Sequence, residues 1–361
     1  MDALPDHLLY EILLLTPCKS LLRFRSLSRQ WRDIISSHKF VMDHLKKRKS
    51  SHYYVISCSY SAPSITLYPD SGGEPFKLDL PFSCTHHWDE FIIRSSCHGL
   101  LCVTFWTTAA ASSRSDFLWN PITREYMELP AVSSETPNIA LGFDPTTNDY
   151  KIVVMDIQNR KIIVQTVKSN IVCRKVEEDR TQYMPVHRSV SIDGYIFWLA
   201  KDLQNSYAVL KFDLASDHLT AIPCPPQATV INSKHDQIRL SLHECGGSVR
   251  LVRFELDDAI QWSMKIIWLL SPTADGSWRD ISSRYKSAVH KSFRGWDGPL
   301  GFTSEAAVVI DRAHRNYVCK DDGLEMRGVR SSLKDCHYHL LHCESLVSPI
   351  DAVGVARNSK R

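Results

Sequence analysis

The chain lacks the features that mark secreted and membrane-spanning proteins. It contains no Asn-x-Ser/Thr sequon, and no apolar run approaches the roughly 18–20 residues that cross a bilayer. Its eleven cysteines are odd in number and scattered, which favours free thiols in a reducing compartment over a disulfide framework. Acidic Asp2 and Asp6 stand where a signal peptide carries basic residues. We therefore expect a soluble intracellular protein of the cytoplasm, the nucleus or both.

The chain also lacks a strong charge bias and the short motifs of common enzymes. The formal net charge is +3 over 361 residues, with ten Lys or Arg against five Asp or Glu in the first fifty. A nearly neutral body with a small basic head does not fit a protein that coats nucleic acid. There is no GxxxxGK[ST] phosphate loop, no HExxH and no CxxC. We predict no cofactor, no nucleic-acid partner and no membrane partner.

The leucine-rich N-terminal segment predicts a small all-α domain of three short helices. Pro5 suits the start of the first helix, Thr16 and Pro17 the start of the second, and Ser28 that of a third, which closes near Phe40. Apolar residues lie on two faces of the first helix rather than one. Three short helices bury little apolar surface by themselves, so both faces need contacts. The residues alone leave open whether the second face packs on the same chain or on a partner.

This segment resembles an F-box. Residues 4–31 follow the plant pattern LPxxLxxxILxxLPxKSLxRF[KR]xV[CS]KxW at nearly every framework position, with Thr16 and Leu27 as departures. The resemblance implies that residues 1–45 are an F-box domain, which docks on the Skp-type adaptor of a cullin–RING ubiquitin ligase through buried aliphatic anchors. Trp31 and Ile35 are expected to hold the helices together. The residues that the resemblance assigns to the adaptor contact are Leu4, Pro5, Leu8, Ile12, Leu13, Leu21 and Leu22.

A basic run, KKRK at 46–49, follows this domain. One hypothesis is a nuclear-import or nucleic-acid patch. The other is a solvated helix end, because cations are favourable at a helix C-terminus. We assign residues 46–52 to a basic linker.

Residues 53–350 predict a large all-β domain, and residues 351–361 a C-terminal tail. Short runs rich in β-branched and aromatic residues alternate with turn residues, without a βαβ rhythm. LWNPITREYMELP (118–130) aligns without gaps to KFDLASDHLTAIP (211–223), at an offset of 93 residues. Recurring hairpins of this kind favour a kelch-like β-propeller with blades of roughly 45–50 residues. A strongly twisted pair of sandwiches is the alternative.

Two further details of the repeat concern its turns. Gly99 and Gly194 recur at an offset of 95 residues, each followed by a strand. Asn120 and Asp144 begin turns in which the side chain can bond the backbone two residues further on. Fainter echoes of the turn occur at 142–154 and 308–318.

The same sequence segments resemble the F-box-associated domain of plant proteins. The motifs are SCHGLLC (96–102), WNPITREYMELP (119–130) and GFDPTTNDYKIV (142–153), in the family's order, with the third two residues shorter than its common form. Kelch repeats proper are absent. The resemblance implies that this domain binds a target protein, but its motifs are framework, so the target-binding residues are unknown.

Two sites invite a chemical interpretation. CHYHLLHC (336–343) gathers possible zinc ligands, but no second ligand pair accompanies it, and a His-rich last strand explains it equally well. CTHHW (84–88) and SCHG (96–99) suggest a Cys–His nucleophile, yet nothing supplies an orienting acid or an oxyanion hole. We assign no catalytic, cofactor-binding or metal-binding residue.

Taken together, the resemblances imply the non-catalytic substrate-recognition subunit of an SCF-type (Skp–cullin–F-box) E3 ubiquitin ligase. Such a subunit holds a target protein for ubiquitination and degradation, and it contributes proximity rather than chemistry. A β-propeller hydrolase or carbohydrate-binding protein is the alternative from another class. An F-box scaffold outside any ligase is the third interpretation.

Overall fold

The computed structural model describes the helical N-terminal head and most strands of the body. The described residues are 5–48, 53–58, 64–69, 76–81, 90–107, 113–130, 138–156, 161–167, 173–176, 183–186, 189–192, 194–230, 238–245, 247–256, 261–270, 276–285, 292–294, 299–302, 307–310, 316–320, 323–326 and 338–350.

The head contains four helices among these residues, not the predicted three. They are α1 (Asp6–Leu15), α2 (Cys18–Phe24), α3 (Arg29–Ser36) and α4 (His38–Arg48). The third helix was expected to run to Phe40, but Ser37 has extended backbone dihedrals and interrupts it. The hydroxyl of Ser37 accepts a hydrogen bond from the Phe40 amide at 3.3 Å, so Ser37 caps α4. Because α4 continues to Arg48, residues 46–48 of the predicted linker are helical.

The body is a succession of antiparallel sheets, which we label A to F. Sheet A has the order β26-β1-β2-β3. In it, β26 (Tyr338–Cys343), which lies late in the chain, pairs with β1 (Tyr53–Cys58). Sheets B and C follow with orders β4-β5-β6-β7 and β11-β10-β9-β8. The remaining strands of sheet A and those of sheets B and C are, in chain order, β2 (Ser64–Pro69), β3 (Phe76–Asp79), β4 (Glu90–Cys97), β5 (Leu100–Thr107), β6 (Ser113–Trp119), β7 (Tyr126–Glu128), β8 (Asn138–Asp144), β9 (Asp149–Asp156), β10 (Lys161–Thr166) and β11 (Cys173–Val176).

Sheets D, E and F continue the series, and the last strand returns to sheet A. In sheet D, β12 and β13 both pair with β14, which β15 and β16 follow; in sheet E, β20 and β21 both pair with β19. The strands are β12 (Met184–Pro185), β13 (Val190–Ile192), β14 (Tyr195–Lys201), β15 (Tyr207–Asp213), β16 (His218–Pro223), β17 (Ile238–Cys245), β18 (Ser248–Leu256), β19 (Gln261–Leu270), β20 (Trp278–Asp280), β21 (Ser292–Arg294), β22 (Pro299–Phe302), β23 (Ala307–Ile310), β24 (Asn316–Lys320), β25 (Gly323–Met326) and β26 (Tyr338–Cys343). A short helix, α5 (Pro226–Thr229), and a 3-10 turn at Ser282–Tyr285 interrupt the strands. The prediction of short N-terminal helices followed by a large all-β domain is confirmed.

The sequence repeat corresponds to equivalent hairpins of sheets B and D. Asn120 directly follows β6 and Asp213 ends β15, and each side chain accepts a hydrogen bond from the amide two residues on, at 2.9 and 2.8 Å. The fourth residue after each, Arg124 or Asp217, has a positive φ of 62° or 55°. Gly99 and Gly194 likewise occupy equivalent turns, with φ of 77° and 86° that L-residues rarely adopt. The predicted side-chain turns are therefore confirmed.

The echo at 142–154 forms the same kind of turn in a different place. Asp144 bonds the Thr146 amide at 2.9 Å, and Asn148 has a φ of 58°, but this hairpin joins the first two strands of sheet C. The motif therefore specifies a turn and not a fixed position in a sheet.

The head is packed onto the body rather than tethered to it. Leu13, Leu21 and Phe40 of the head share one buried cluster with Ile65 and Leu101 of sheets A and B. Leu45 of α4 belongs to a second cluster with residues of sheets B and C. Among the residues described, no helix is both long and apolar enough to cross a membrane.

Candidate functional site

The first helix divides its apolar residues between the interior and solvent. Leu13 and Leu14 are buried against the body, with Leu9 and Tyr10 packed beside them. Leu8, Ile12 and Leu15 remain 44, 52 and 64% exposed. At 100° per residue, these three positions fall within about 60° of one another on the helix, over about 10 Å of its length. We call this set, with the exposed Pro5 at its N-terminal end, the α1 stripe.

The stripe only partly matches the residues that the sequence assigned to a partner. Pro5, Leu8 and Ile12 are exposed, and their assignment stays a prediction. Leu13 and Leu21 are 1 and 0% exposed, because they belong to the core that joins head and body, so they are not part of the exposed stripe. Of the other two residues assigned to the adaptor contact, Leu22 is half-buried and packs on that core, and Leu4 lies outside the described residues.

Two exposed leucines were missed by sequence reasoning. Leu15 extends the stripe by one turn, and Leu27, in the turn after α2, is 67% exposed. Helical spacing could have identified Leu15, since it lies two turns from Leu8 on the same face. Nothing local distinguishes Leu27 from a core residue, because only the packing of α2 on α3 exposes it.

Local contacts fix the orientation of the stripe by holding the helices together. The Ser28 hydroxyl caps α3 by accepting a hydrogen bond from the Trp31 amide at 3.1 Å. The Trp31 ring meets the Phe24 ring edge-on at 5.4 Å, and Ile35 is buried, as expected for residues that hold the helices together. On the other side, the Tyr10 ring stands edge-on to the Phe40 ring at 5.4 Å.

Polar contacts attach α1 to α4. Tyr10 donates a hydrogen bond to Asp43 Oδ2 at 2.9 Å, and Lys39 Nζ lies 2.8 Å from the same oxygen. Both hydrogen bonds lower the pKa of the Asp43 carboxyl, and the bond from Lys39 has the larger effect. Lys47 Nζ lies 2.8 Å from Glu11 Oε2, so one residue of the basic run pairs with α1. Exposed pairs of this kind orient helices more than they stabilise them.

The family motifs of the body are structural. The Asn120 amide is fully buried and donates to two carbonyl groups of the segment after β26, at 3.0 and 2.7 Å. The buried Asp144 lies 2.8 Å from Lys151 Nζ; burial opposes its ionisation, but bonds from Lys151 and Thr146 outweigh this and lower its pKa to about 2. Asn120 and Asp144 therefore make structural contacts within the chain.

The candidate chemical sites do not assemble. Cys97 and Cys102 are buried, and burial raises the pKa of the Cys102 thiol far above its ordinary value, which opposes a thiolate nucleophile. The His342 ring, on β26, is fully buried. Within the described ranges, no three His, Cys, Asp or Glu residues gather as metal ligands. Residues 84–88, and Cys336 and His337, lie outside the described residues.

A small helical head that presents an apolar stripe, fused to a large body of antiparallel sheets, is a protein-interaction architecture. Residues 1–42 match the F-box domain family, and residues 57–294 match the family described as "F-box associated beta propeller domain". The chain belongs to the plant F-box proteins that carry this associated domain.

The curated relatives agree with this family. The Arabidopsis thaliana "Putative F-box protein At3g52320" is 25% identical, over 62% of this chain and 61% of its own. "F-box/kelch-repeat protein At3g23880" is 24% identical, over 62 and 65%, and "Putative F-box/kelch-repeat protein At1g13200" is 26% identical, over 78 and 72%, both from the same plant. The chain thus spans less than two thirds of the length of the first two.

Solved structures resemble the chain only distantly. TolB from Acinetobacter baumannii is 8% identical with a TM-score of 0.47, covering 85% of this chain and 73% of its own. The periplasmic gluconolactonase PpgL from Pseudomonas aeruginosa is 13% identical with a TM-score of 0.45, covering 81 and 100%. Both scores are below 0.5, so neither likeness bears on fold or function.

Proposed function

We propose that this protein is the substrate-recognition subunit of an SCF-type ubiquitin ligase. The observation that carries the proposal is the α1 stripe, an exposed apolar face on the helix that begins the F-box match. In water such a face is unfavourable, and an aliphatic groove on a Skp-type adaptor would bury it at about 1.5–3 kcal/mol per large side chain. The protein supplies no catalytic group; it brings a target protein close to the ubiquitin-carrying enzyme.

We infer that the six sheets of the body are the blades of a propeller. Three observations support this arrangement. The sheets follow one another in the chain, and β26 completes sheet A beside β1. Neighbouring sheets also contact each other through single strands: β4 contacts β8, β17 contacts β22, and β22 contacts β26. In a propeller, pairing of an early strand with a late one in the same sheet leaves few free edges, which is the usual advantage of this fold.

The target is expected at the end of the body away from the head. The head contacts the hairpin ends of sheets A, B and C: Lys19 Nζ lies over the Phe76 ring at 3.2 Å, Ile122 shares the head's core cluster, and Asn148 Nδ2 lies 3.0 Å from His38 Nε2. In a four-stranded meander the hairpin between the second and third strands lies at the opposite end. The head contacts given above all lie at the other end, so a target bound at this end is not expected to compete with the adaptor.

Adaptor binding by purified full-length chain tests the proposal. We expect Ile12→Asp to weaken binding to a Skp-type adaptor by about a hundredfold, because it places a charge at an apolar contact worth about 3 kcal/mol. His7→Asp is the matched control: it adds the same side chain to exposed surface of α1, about 100° away from Leu8.

Equal binding by wild type and Ile12→Asp would refute the proposed docking face. No binding by the wild type to any Skp-type adaptor would refute the ligase assignment.

A further inference from the structure

The segment that follows the last strand is buried although it has no regular secondary structure. Residues 344–348 are each 0–6% exposed, and three of the five are polar: Glu344, Ser345 and Ser348. Irregular segments normally run over the surface, because buried backbone groups need hydrogen-bond partners. A segment buried this completely must be bound by the residues around it. We call residues 344–348 the latch.

The body binds the latch through two family motifs. Asn120 Nδ2 donates to the Ser345 carbonyl at 3.0 Å and to the Val347 carbonyl at 2.7 Å. Gly99 lies directly beneath the segment: a Cβ atom there would stand 2.4 Å from Ser345 Oγ and 2.7 Å from the Cys343 carbonyl oxygen. The absence of a side chain at Gly99 therefore creates the space through which the latch passes.

The head binds the other side of the latch. Glu344 Oε1 accepts a hydrogen bond from the Cys18 amide at 3.4 Å, at the first turn of α2, where the amides lack partners within the helix. Leu346 belongs to the cluster that contains Leu13, Leu21 and Phe40 of the head. Val347 belongs to the cluster that contains Leu45 of α4. The latch thus contacts α2 by a polar bond and supplies one side chain to each of the two cores beneath the head.

We propose that the latch fixes the head on the body, so that the head is held in one orientation only after β26 has completed sheet A. The latch starts directly after Cys343, the last residue of β26, and β26 pairs with β1 along its whole length. When β26 pairs with β1, the latch that follows it is therefore positioned between Asn120 and α2. A chain whose end is missing or unpaired has an F-box sequence but a loosened head.

Amide hydrogen exchange in the full-length chain tests this device. Asn120→Ala removes three bonds to the latch, those to the Ser345 carbonyl, the Ser345 hydroxyl and the Val347 carbonyl. It also removes the turn bonds to the amides of Ile122 and Thr123. Asp213→Ala is a matched control, because Asp213 accepts hydrogen bonds from the corresponding amides of Ala215 and Ser216 in the equivalent turn of sheet D. We expect amide exchange in α2 and α4 to rise at least tenfold in Asn120→Ala and to stay at the wild-type rate in Asp213→Ala.

A second pair of variants covers the case in which Asn120→Ala does not fold. Leu346→Ala removes the latch side chain from the head's core, whereas Leu270→Ala removes another buried leucine from the core shared by sheets D and E. Both lower global stability, but only Leu346→Ala is expected to speed exchange in α2 and α4 under native conditions. Equal exchange in α2 and α4 within both pairs of variants would overturn the proposal.

Adaptor affinity gives a second readout that rests on the proposed function. Asn120→Ala is expected to weaken adaptor binding about tenfold, and Asp213→Ala to leave it unchanged. Should the wild type bind no adaptor, the ligase assignment fails, and the exchange measurement alone decides the latch.

Discussion

His342 gives the sharpest test of how burial controls ionisation in this fold. The ring lies on β26 and is fully buried, and neither ring nitrogen has a hydrogen-bond partner among the described residues. Desolvation lowers its pKa from the ordinary 6.5 to about 4. The folded protein therefore keeps this histidine neutral at pH values where the unfolded chain binds a proton.

The sign and size of the effect follow from proton linkage. Above about pH 6.5 the ring is neutral in both states, so it has no pH-dependent effect on stability. As the pH falls from 6.5 to about 4, only the unfolded chain gains the proton, and the free energy of unfolding drops by about 1.4 kcal/mol per pH unit. The full loss is about 3 kcal/mol, of which about 2 kcal/mol falls between pH 6.5 and 5.

The perturbation is His342→Leu, which has a similar volume and no polar atom. At pH 7.5 we expect the variant to be more stable by about 1–3 kcal/mol, because two unsatisfied ring nitrogens are removed. At pH 5 the advantage should grow by about 2 kcal/mol, because the variant has no proton to gain at this site.

Urea unfolding at the two pH values measures this difference, with His218→Leu as the control at an exposed histidine. Other titrating groups contribute equally to wild type and variant, so they cancel in the comparison. If His342→Leu showed the same pH dependence as the wild type, the link between burial and the lowered pKa would be refuted.

Three further substitutions test other contacts. Lys151→Met should cost about 3–5 kcal/mol of unfolding free energy, because it removes the cation that pairs with the buried Asp144 carboxylate; the double variant with Asp144→Asn should recover part of this loss in urea unfolding. Gly142→Ala should cost about 1–3 kcal/mol, since its Cβ would stand 2.7 Å from Leu214 Cδ1, and an unchanged thermal midpoint would contradict the packing. Ser28→Ala should cost about 1 kcal/mol by removing the cap of α3, whereas Ser26→Ala should cost little, as thermal unfolding will measure.

The turns of the body could be predicted because their causes are local. An Asn or Asp that bonds the amide two residues on needs only its own neighbours, so Asn120, Asp144 and Asp213 form the same turn in three different hairpins. For the same reason the sequence could not say which hairpin each turn would join. Strand order, and not the turn, places Asp144 between the first two strands of its sheet.

The partition of the first helix could be predicted only in part. The sequence indicates two apolar faces, but Leu13 belongs to the interior and Leu15 to the surface because of where α4 and sheet A lie. The break at Ser37 was missed for a related reason: a serine is neutral within a helix, and its capping role depends on the direction that α4 takes.

The helical head, the β-rich body, the repeating turns and the family could all be predicted from the sequence, because each of these rests on residues close together in the chain. Long-range packing determines which leucines of the head are exposed, and it places residues 344–348 against α2. Those outcomes depend on contacts between residues more than 200 positions apart, such as Asn120 with Val347 and Cys18 with Glu344. No local pattern specifies such pairs; they form only once β26 has returned to β1.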